Sequence, residues 1–475
     1  DSTSTGSVLP LRIGTRSLCS AWVLGPTINA DMAEADAPRV EAALARAVAL
    51  ARGATPRLRD LAEALALRHP RGRPIDEAGY AARMQALARK HAGDADVQML
   101  AAEALLNLHP YDWWAPDGRA QPWTPAIEAQ LARAIALDPA HPGALHYWIH
   151  LHESSRRPQA ALAAADTLAG LVPGSGHLTH MPAHIYMRTG RYADASAANR
   201  RSIEADARYL VQVDAQGAYR VGYVAHNHHF LWASAAMQGR SAEAIAAARA
   251  AWPAACGPRP GDRSTAILQH YYALPLYALL RFGRWREILT DTLPPDVAEP
   301  YPLAVWHYAR GTAQARSGEP AAAREALARV ERLASEPALG ATRIKNINAA
   351  AVLARIAALT LRADLDLVER RHDDAVAALA QAVALEDGLS YDEPHLWLAP
   401  TRHALGAALL VSGRPRDAER SYREDLAHYP ENGWSLMGLA RSLRAQGRNE
   451  AAKDVDQRFR AAWANADVRL DGSRF

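Results

Sequence analysis

The stretch GHLTHMPAHIYMRTGRYADA, residues 176–195, contains two patterns that predict different properties of the chain. Its second half, TGRYADA, places a glycine shortly before an aromatic residue and two alanines. Glycine adopts a left-handed backbone at little cost, so this pattern predicts a tight turn between two helices. The first half contains His177, His180 and His184, and residues three or four apart share one helical face. We therefore expect three imidazoles on one face, next to a helix–helix turn.

The turn pattern recurs along the chain, which indicates a repeat architecture. Its occurrences are TGRYADA (189–195), QGRSAEA (238–244), FGRWREI (282–288), SGEPAAA (317–323), SGRPRDA (412–418) and QGRNEAA (446–452). Alanine and leucine dominate, and no alternating run of valine or isoleucine is present, so the chain is predicted to be all-α. The pattern resembles the tetratricopeptide repeat, a pair of antiparallel helices. This resemblance implies an α-solenoid that forms a right-handed superhelix, with the first helix of each pair on its concave face.

The expected organisation has three parts: an irregular segment over 1–29, a single superhelix over 30–465, and a C-terminal tail over 466–475. An aromatic, proline-rich insertion interrupts the helices at about 109–125. Trp114 in this insertion is a candidate for the entrance of the concave groove. A hydrophobic loop packed on its own rings would explain the same composition without a ligand.

Charge and cysteine content exclude several classes of function. Lys+Arg is 54 and Asp+Glu is 51, giving a net charge of +3 without a long basic block, so a nucleic-acid partner is not expected. Cys19 and Cys256 are too few for a disulfide framework or a thiolate metal site. No apolar run is long enough for a membrane span. The first residue is Asp1 and not Met, as in a processed or truncated chain, so removal of a secretory signal stays open, as do periplasmic and cytoplasmic locations.

Many of the 19 histidines fall on the repeat positions that face the groove. In the tetratricopeptide register, with the turn glycine at position 15, these are positions 2, 5, 9, 12 and 13. The residues at these positions are His146, His150 and Glu153 in one repeat, His177, His180, His184 and Arg188 in the next, His226 and His229 in the third, and His270 in the fourth. Neighbouring helices pack about 8–10 Å apart, so imidazoles from adjacent repeats are expected to meet.

Imidazoles that meet in this way predict a metal site, because neutral histidine is the commonest metal ligand in proteins. The predicted ligands are His146, His150, His177, His180, His184, His226 and His229. Glu153 and His184 are the predicted catalytic residues, and Arg188, His270 and Trp114 are predicted to line the substrate groove. A ligand set rich in imidazole and without thiolates favours copper or iron, with zinc as the alternative. Three or four ligands complete one ion, so the excess predicts a second ion or histidines that carry protons.

Longer motifs support a more specific resemblance. GHLTHMPAHIYMRTGRY (176–192), HPGALHYWIHLHE (141–153), HNHHFLWA (226–233) and PTRHALGAALLVSGRPRDAERSYREDL (400–426) occur in this order. Together they resemble a bacterial family of tetratricopeptide-repeat proteins with a GHLxHMPSHIYxRxGRY signature, over roughly residues 19–465. The resemblance implies the same superhelix and matches the histidines and Glu153 listed above, apart from His270. It carries no activity to this chain, and the first eighteen residues do not match the family.

Three classes of function follow from these observations. The first is a copper- or iron-dependent oxidative enzyme that acts on a small molecule or peptide in the concave groove. A zinc-dependent hydrolase with Glu153 as the base is the related alternative. The second class is a non-catalytic repeat module that binds a peptide or a metal, and the third is a scaffold whose histidines are purely structural.

Overall fold

The computed structural model describes residues 16–115, 118–213, 217–257, 261–290, 296–397 and 399–475. These residues form antiparallel helix pairs, which confirms the predicted all-α solenoid of tetratricopeptide-like units. The chain divides into two compact units, of which the first ends at Thr167 and the second begins at Leu168. The single superhelix expected over 30–465 therefore stays a prediction. Among the described helices, none combines the length and apolarity that crossing a bilayer requires.

The elements are numbered in chain order. The helices before Thr167 are α1 (16–24), α2 (Ala37–Ala51), α3 (Pro56–Arg68), α4 (Glu77–Lys90), α5 (Ala95–Leu108), α6 (Thr124–Leu137), α7 (Pro142–Glu153) and α8 (Leu162–Leu168), the last of which ends at the first residue of the second unit. The following helices are α9 (Gly176–His180), α10 (Pro182–Arg188), α11 (Tyr192–Gln212), α12 (Ala225–Met237), α13 (Ser241–Cys256), α14 (Ala266–Arg281), α15 (Trp285–Thr290), α16 (Pro300–Arg316), α17 (Pro320–Ala334) and α18 (Pro337–Ala341). A hairpin of β1 (Arg343–Ile344) and β2 (Asn348–Ala349) leads into α19 (Ala350–Val368), α20 (His372–Asp387), α21 (Thr401–Val411), α22 (Pro415–His428), α23 (Gly433–Ala445) and α24 (Asn449–Ala462).

Left-handed residues close the turns between paired helices. The glycines of the six sequence patterns, Gly190, Gly239, Gly283, Gly318, Gly413 and Gly447, all have positive φ. At Gly190 a Cβ would also lie 2.7 Å from the carbonyl oxygen of Pro430. Both the positive φ and this close approach therefore disfavour a side chain at this position. Arg370, with φ of 59°, closes the α19–α20 pair without a glycine. The sequence pattern missed this pair because it relied on glycine.

A buried tyrosine shows how successive pairs interlock. Tyr422 on α22 is fully buried, and its ring lies between Gly406 on α21 and Gly438 on α23. A Cβ would lie 2.3 Å from the ring at Gly406 and 2.2 Å from it at Gly438. The two glycines therefore give the ring the space that brings three helices together. The Tyr422 hydroxyl also hydrogen-bonds to Ser473 Oγ at 2.8 Å, so this packing combines close ring contacts with one polar contact.

Two terminal segments differ from their predicted structure. Residues 16–24, expected to be irregular, form α1, because Leu18 and Ala21 bury one face of this helix. The segment 466–475, expected to be a tail, packs into the second unit. Its Arg474 guanidinium donates to Asp364 at 2.8 Å, and its Ser473 hydroxyl donates to the carbonyl oxygen of His403 at 2.7 Å. Alternation and helical periodicity are both absent from such a segment, so its burial has no signal in the sequence.

Two further contacts join distant parts of the second unit. The Asp467 carboxylate accepts hydrogen bonds from the amides of Ser241 and Ala242, at 2.6 and 2.9 Å, and so caps the first turn of α13. The indole of Trp434 on α23 donates to the carbonyl oxygen of Ala236 on α12 at 2.9 Å. Both contacts connect residues that lie about two hundred positions apart in the sequence.

The glycine beside Tyr422 gives a test of this packing. Gly438→Ala forces a methyl group into the ring, so we expect it to destabilise the second unit by about 3 kcal/mol. Gly340→Ala is the matched control, because a Cβ at Gly340 meets nothing within 4 Å. Urea unfolding followed by circular dichroism measures both. Equal unfolding midpoints for the two variants would contradict the packing described for Tyr422.

Candidate metal centre

His180 and His184 lie on either side of a break between two short helices. His180 ends α9, Pro182 begins α10, and His184 follows one half-turn later. Proline lacks an amide proton and so cannot donate the helical hydrogen bond at this position. Across the break the Nε2 atoms of His180 and His184 lie 2.9 Å apart. The predicted single helix is therefore two helices whose junction brings the two imidazoles together.

His226 on α12 completes a group of three. One ring nitrogen from each of His180, His184 and His226 lies within 4.8 Å of the other two. The ring centres are separated by 4.8 Å (180 to 184), 4.9 Å (180 to 226) and 5.7 Å (184 to 226). Phe230, one turn along α12, is fully buried and contacts all three rings at centre distances of 4.6 to 4.8 Å. We call these three histidines the three-histidine centre.

The tautomer of His180 follows from its neighbour. Asn199 on α11 donates its amide to the carbonyl oxygen of Ala195 at 2.8 Å, which fixes the orientation of the amide group. Its Oδ1 therefore faces His180 Nδ1, at 2.7 Å, and can only accept. His180 Nδ1 must carry the proton, so the Nε2 lone pair is directed at His184.

Glu393 orients His184 in a similar way. Its carboxylate contacts His184 Nδ1, and both side chains are buried. With Glu393 ionised, its oxygens can only accept, and the proton of His184 then also lies on Nδ1. Two Nε2 atoms with lone pairs then face each other at 2.9 Å. Such a contact is stable only with a cation between the nitrogens, either a proton or a metal ion.

Buried polar contacts hold α9, α11 and α12 together below the centre. Asp206 on α11 accepts hydrogen bonds from the amide of Asn227 and the hydroxyl of Tyr219, each at 2.7 Å. Burial raises the pKa of Asp206, and these two hydrogen bonds partly offset that effect. Gly176 begins α9 directly against this carboxylate, where a Cβ would lie 1.9 Å from its oxygen. A π-helical turn over Arg220–Val224 leads into α12, a local geometry that is frequent at functional sites.

Lys345 is the cation next to these histidines. It lies in the turn of the β1–β2 hairpin with φ of 49°, and its ammonium donates to Asp392 Oδ1 and to the carbonyl oxygen of Glu393, each at 2.7 Å. Burial lowers the pKa of His226 well below its usual value, and the positive charge of Lys345 lowers it further. His226 is therefore neutral and able to bind a metal ion. The same ammonium secures the loop that presents Glu393 to His184.

The other predicted residues of the second unit lie around this centre. His177 is half-buried, with its ring centre 6.4 Å from that of His180 and 4.7 Å from that of Tyr223. The Arg188 guanidinium lies over the Tyr391 ring, 5.4 Å from its centre. Their predicted roles, metal ligand and substrate contact, stay predictions.

His229 and His270 form a separate pair. Their ring centres lie 5.2 Å apart, and both side chains are fully buried. Burial lowers the pKa of His229 well below its usual value and that of His270 to about 3. The sequence register placed His229 with the metal ligands and His270 with the substrate groove. In the structure the two share one pocket.

The first unit contains the remaining predicted residues. On α7 the ring centres of His146 and His150 are 4.7 Å apart, and His150 Nδ1 lies 3.0 Å from Glu153 Oε1. The indole of Trp114 donates to the carbonyl oxygen of Leu151 at 2.6 Å, so this ring packs on α7 as part of a hydrophobic loop. The metal-binding roles of His146 and His150, the catalytic role of Glu153 and the groove role of Trp114 stay predictions.

The sequence analysis missed Asn199, Glu393 and Lys345. Asn199 lies on the second helix of its repeat, where the register for groove positions does not apply. Glu393 and Lys345 lie in connections between helix pairs, 209 and 161 residues after the end of the GHLTHMPAH motif. The available signal was weak: an acidic pair in YDEPH (391–395), and one of only three lysines among 54 basic residues.

Comparisons with known proteins do not identify a family. No protein-family model and no curated protein sequence matches the chain. Among solved structures, the human IFIT1 dimer with m7Gppp-AAAA is 12% identical and has a TM-score of 0.38, with 97% of this chain and 95% of that chain covered. The Cut9–Hcn1 hetero-tetramer of the APC/C is 14% identical with a TM-score of 0.28, covering 91% and 85% of the two chains. Likenesses at these TM-scores carry no argument about ligands or activity.

The tautomer of His180 can be measured directly. In metal-free protein, ¹H–¹⁵N spectra of labelled histidines should show the proton of His180 on Nδ1, with His180→Gln used for assignment. Asn199→Leu removes the acceptor, so we expect the Nε2-protonated tautomer to become populated. Asn107→Leu is the control, because this buried amide bonds to Glu103 and should leave the His180 signals unchanged. An Nε2-protonated His180 in the unaltered chain would contradict the assignment.

The buried His152, which lies off the predicted groove face, should make the folded protein less stable in acid. It is fully buried on α7, and burial lowers its pKa to about 4. As pH falls, His152 binds a proton in the unfolded chain near pH 6.5 but in the folded chain only near pH 4. Protonation therefore stabilises the unfolded state, and the free energy of unfolding falls as pH drops from 6.5 towards 4. Between pH 7.5 and 5.5 this histidine should cost about 1.4 kcal/mol. His152→Phe should reduce the acid-induced loss in unfolding free energy by that amount, and parallel pH profiles would refute the prediction.

Proposed function

We propose that this chain is a metalloprotein whose second unit binds a first-row transition-metal ion at the three-histidine centre, and that the ion serves an oxidative reaction. The observation that carries the proposal is the contact between His180 Nε2 and His184 Nε2, two lone-pair nitrogens that need a cation between them. The Nδ1 atoms of both rings already face acceptors, so Nε2 is the nitrogen available for a metal. Metal-binding histidines in proteins show this same arrangement.

The spacing of the rings fits one ion. Imidazole nitrogens bind at about 2.0–2.1 Å, which places the ring centres of two ligands on a tetrahedral ion about 5 Å apart. The three measured separations, 4.8, 4.9 and 5.7 Å, lie close to this value. Two such ligands have nitrogens about 3.3 Å apart, so the two Nε2 atoms need to separate by only a few tenths of an ångström. Three protein ligands leave one position for a substrate or water, as in catalytic rather than structural sites.

The ligand chemistry favours copper or iron. Three neutral imidazoles form a set that suits copper, iron and zinc, and the Glu393 carboxylate acts on the far nitrogen of His184. An ion with an open position and two oxidation states supplies redox chemistry that zinc cannot. Around it, Phe230 excludes water, and Glu393 holds the Nδ1 proton of His184 in place. Zinc-dependent hydrolysis is the alternative within the same site.

A cavity of about 20 Å³, with room for about one water molecule, lies next to the centre, and we propose that the small-molecule or peptide substrate binds on this side. Residues that line it include Phe230, Glu393, Arg188, His395 and Tyr429. Arg188 supplies a positive charge to this cavity, in agreement with the substrate role predicted from its repeat position. These features are compatible with the bacterial histidine-signature family that the sequence resembles, for which metal binding would then be a shared property.

Elemental analysis of protein purified without a nickel column tests the proposal. We expect at least one equivalent of copper or iron per chain. His180→Ala and His226→Ala should each lower the occupancy of the three-histidine centre more than tenfold, because each removes one of its three ligands. His428→Ala should leave that occupancy unchanged, since His428 lines the adjacent cavity but is not one of the three ligands.

One experimental result would reject the proposal of a metal site. Protein that contains no metal, and whose melting temperature does not change with added copper, iron or zinc, has no such site. If an ion is bound, its response to ascorbate separates the alternatives. A change of oxidation state supports oxidative chemistry, whereas stoichiometric zinc alone supports hydrolysis.

A further inference from the structure

The His229–His270 pair is a second place where imidazoles converge. His229 lies on α12 and His270 on α14, and neither side chain has any solvent exposure. Their ring centres are 5.2 Å apart, close to the separation of about 5 Å for two ligands of one ion. Trp232 and Tyr271 border the His229 ring, so the pocket is largely aromatic.

Tyr301 orients the second ring of the pair. Its hydroxyl lies 2.9 Å from His270 Nδ1 and 3.3 Å from the hydroxyl of Tyr277. This contact engages one nitrogen of His270 and leaves Nε2 as the other. Within the part of the chain that the structure describes, His270 Nε2 and both ring nitrogens of His229 are buried and make no hydrogen bond.

His403 is a buried histidine in which both ring nitrogens have polar partners, and it serves as a comparison. It is 2% exposed, its Nε2 lies 2.9 Å from Asp425, and its Nδ1 lies 3.0 Å from Arg281. Both ring nitrogens therefore have partners. By contrast, three unpartnered nitrogens in one pocket leave a desolvation cost of about 1–3 kcal/mol each. A ligand with empty orbitals or with protons to donate would remove that cost.

We infer that His229 and His270 bind a second metal ion, and that this ion is copper. The inference rests on the proposed function only in taking the chain to be a metalloprotein, since the two sites share no ligand. Two neutral imidazoles without a carboxylate supply no negative charge, so the pocket favours an ion of low charge. Monovalent copper meets this condition and accepts imidazole nitrogen as a ligand.

The charge nearest to the pair does not prevent this binding. Burial and, to a smaller extent, the charge of Lys345 lower the pKa of both histidines, but the Lys345 ammonium is paired with Asp392 Oδ1 at 2.7 Å. It therefore keeps the imidazoles neutral, as ligands must be, while its own charge is largely balanced. Tyr301 engages His270 Nδ1 and leaves Nε2 as the nitrogen for the ion; with the ion bound, Nδ1 carries the proton and donates it to the Tyr301 hydroxyl oxygen.

Copper stoichiometry tests the inference. Metal-stripped protein is titrated without oxygen with monovalent copper, supplied as its acetonitrile complex, then desalted and analysed for copper. The unaltered chain should retain two ions, and His229→Phe and His270→Phe should each retain one. His180→Ala should also retain one, and the double variant His180→Ala with His229→Phe none. His152→Phe removes another fully buried histidine and should retain two ions.

Tyr301→Phe keeps both imidazoles and nearly the same volume, so it tests the pocket even if His229→Phe does not fold. We expect it to weaken the binding of the second copper ion by about 10–100-fold and to leave the first unchanged. Two ions retained in folded His229→Phe would overturn the inference, as would a single ion in the unaltered chain that only His180→Ala removes. The latter result would leave the proposed function intact. A chain that retains no copper at all, and no iron or zinc, would reject both.

Discussion

A left-handed residue between two antiparallel helices is the constraint on which the rest of this chain depends. Each such turn fixes where the next helix begins and therefore which of its residues face a neighbouring helix. Gly190 sets this register for α10 and α11, and Gly239 for α12 and α13. His184, on α10, and His226, on α12, meet because both helices are held by turns of this kind. The chemistry of the centre thus follows from backbone geometry first and from side-chain identity second.

Much of this could be predicted from the sequence, because turn glycines and helical spacing are local signals. The all-α class, the turns at Gly190 or Gly413, and the face shared by His180 and His184 all follow from neighbours within a few residues. Contacts made across the fold could not be predicted. Glu393 reaches His184 from a connection between helix pairs, and no periodicity marks its position. The separation of His226 from His229 depends on how α12 packs, whereas the repeat register assigned both to one wall.

Several buried histidines of the second unit are neutral because burial lowers their pKa. Burial disfavours the imidazolium form of His226, His229 and His270, and Lys345 adds to this effect. In a packed interior, such rings act as acceptors and ligands and not as cations. Their partners then decide their roles. Asn199 and Glu393 leave the Nε2 atoms of their histidines available at the centre, whereas Asp425 and Arg281 occupy both nitrogens of His403.

The caps and indole bonds between distant helices bear on how the molecule unfolds. In an open array of repeats each unit contacts only its neighbours, so end units can unravel while the middle stays folded. Here Asp467 caps α13, and Trp434 bonds to α12, across about two hundred residues. Loss of the final helices would therefore uncap a helix near the start of the same unit. Because of these bonds, the unit is expected to unfold cooperatively and not by stepwise fraying from its end. A ligand bound between α9 and α12 would then slow hydrogen exchange in helices as far away as α24.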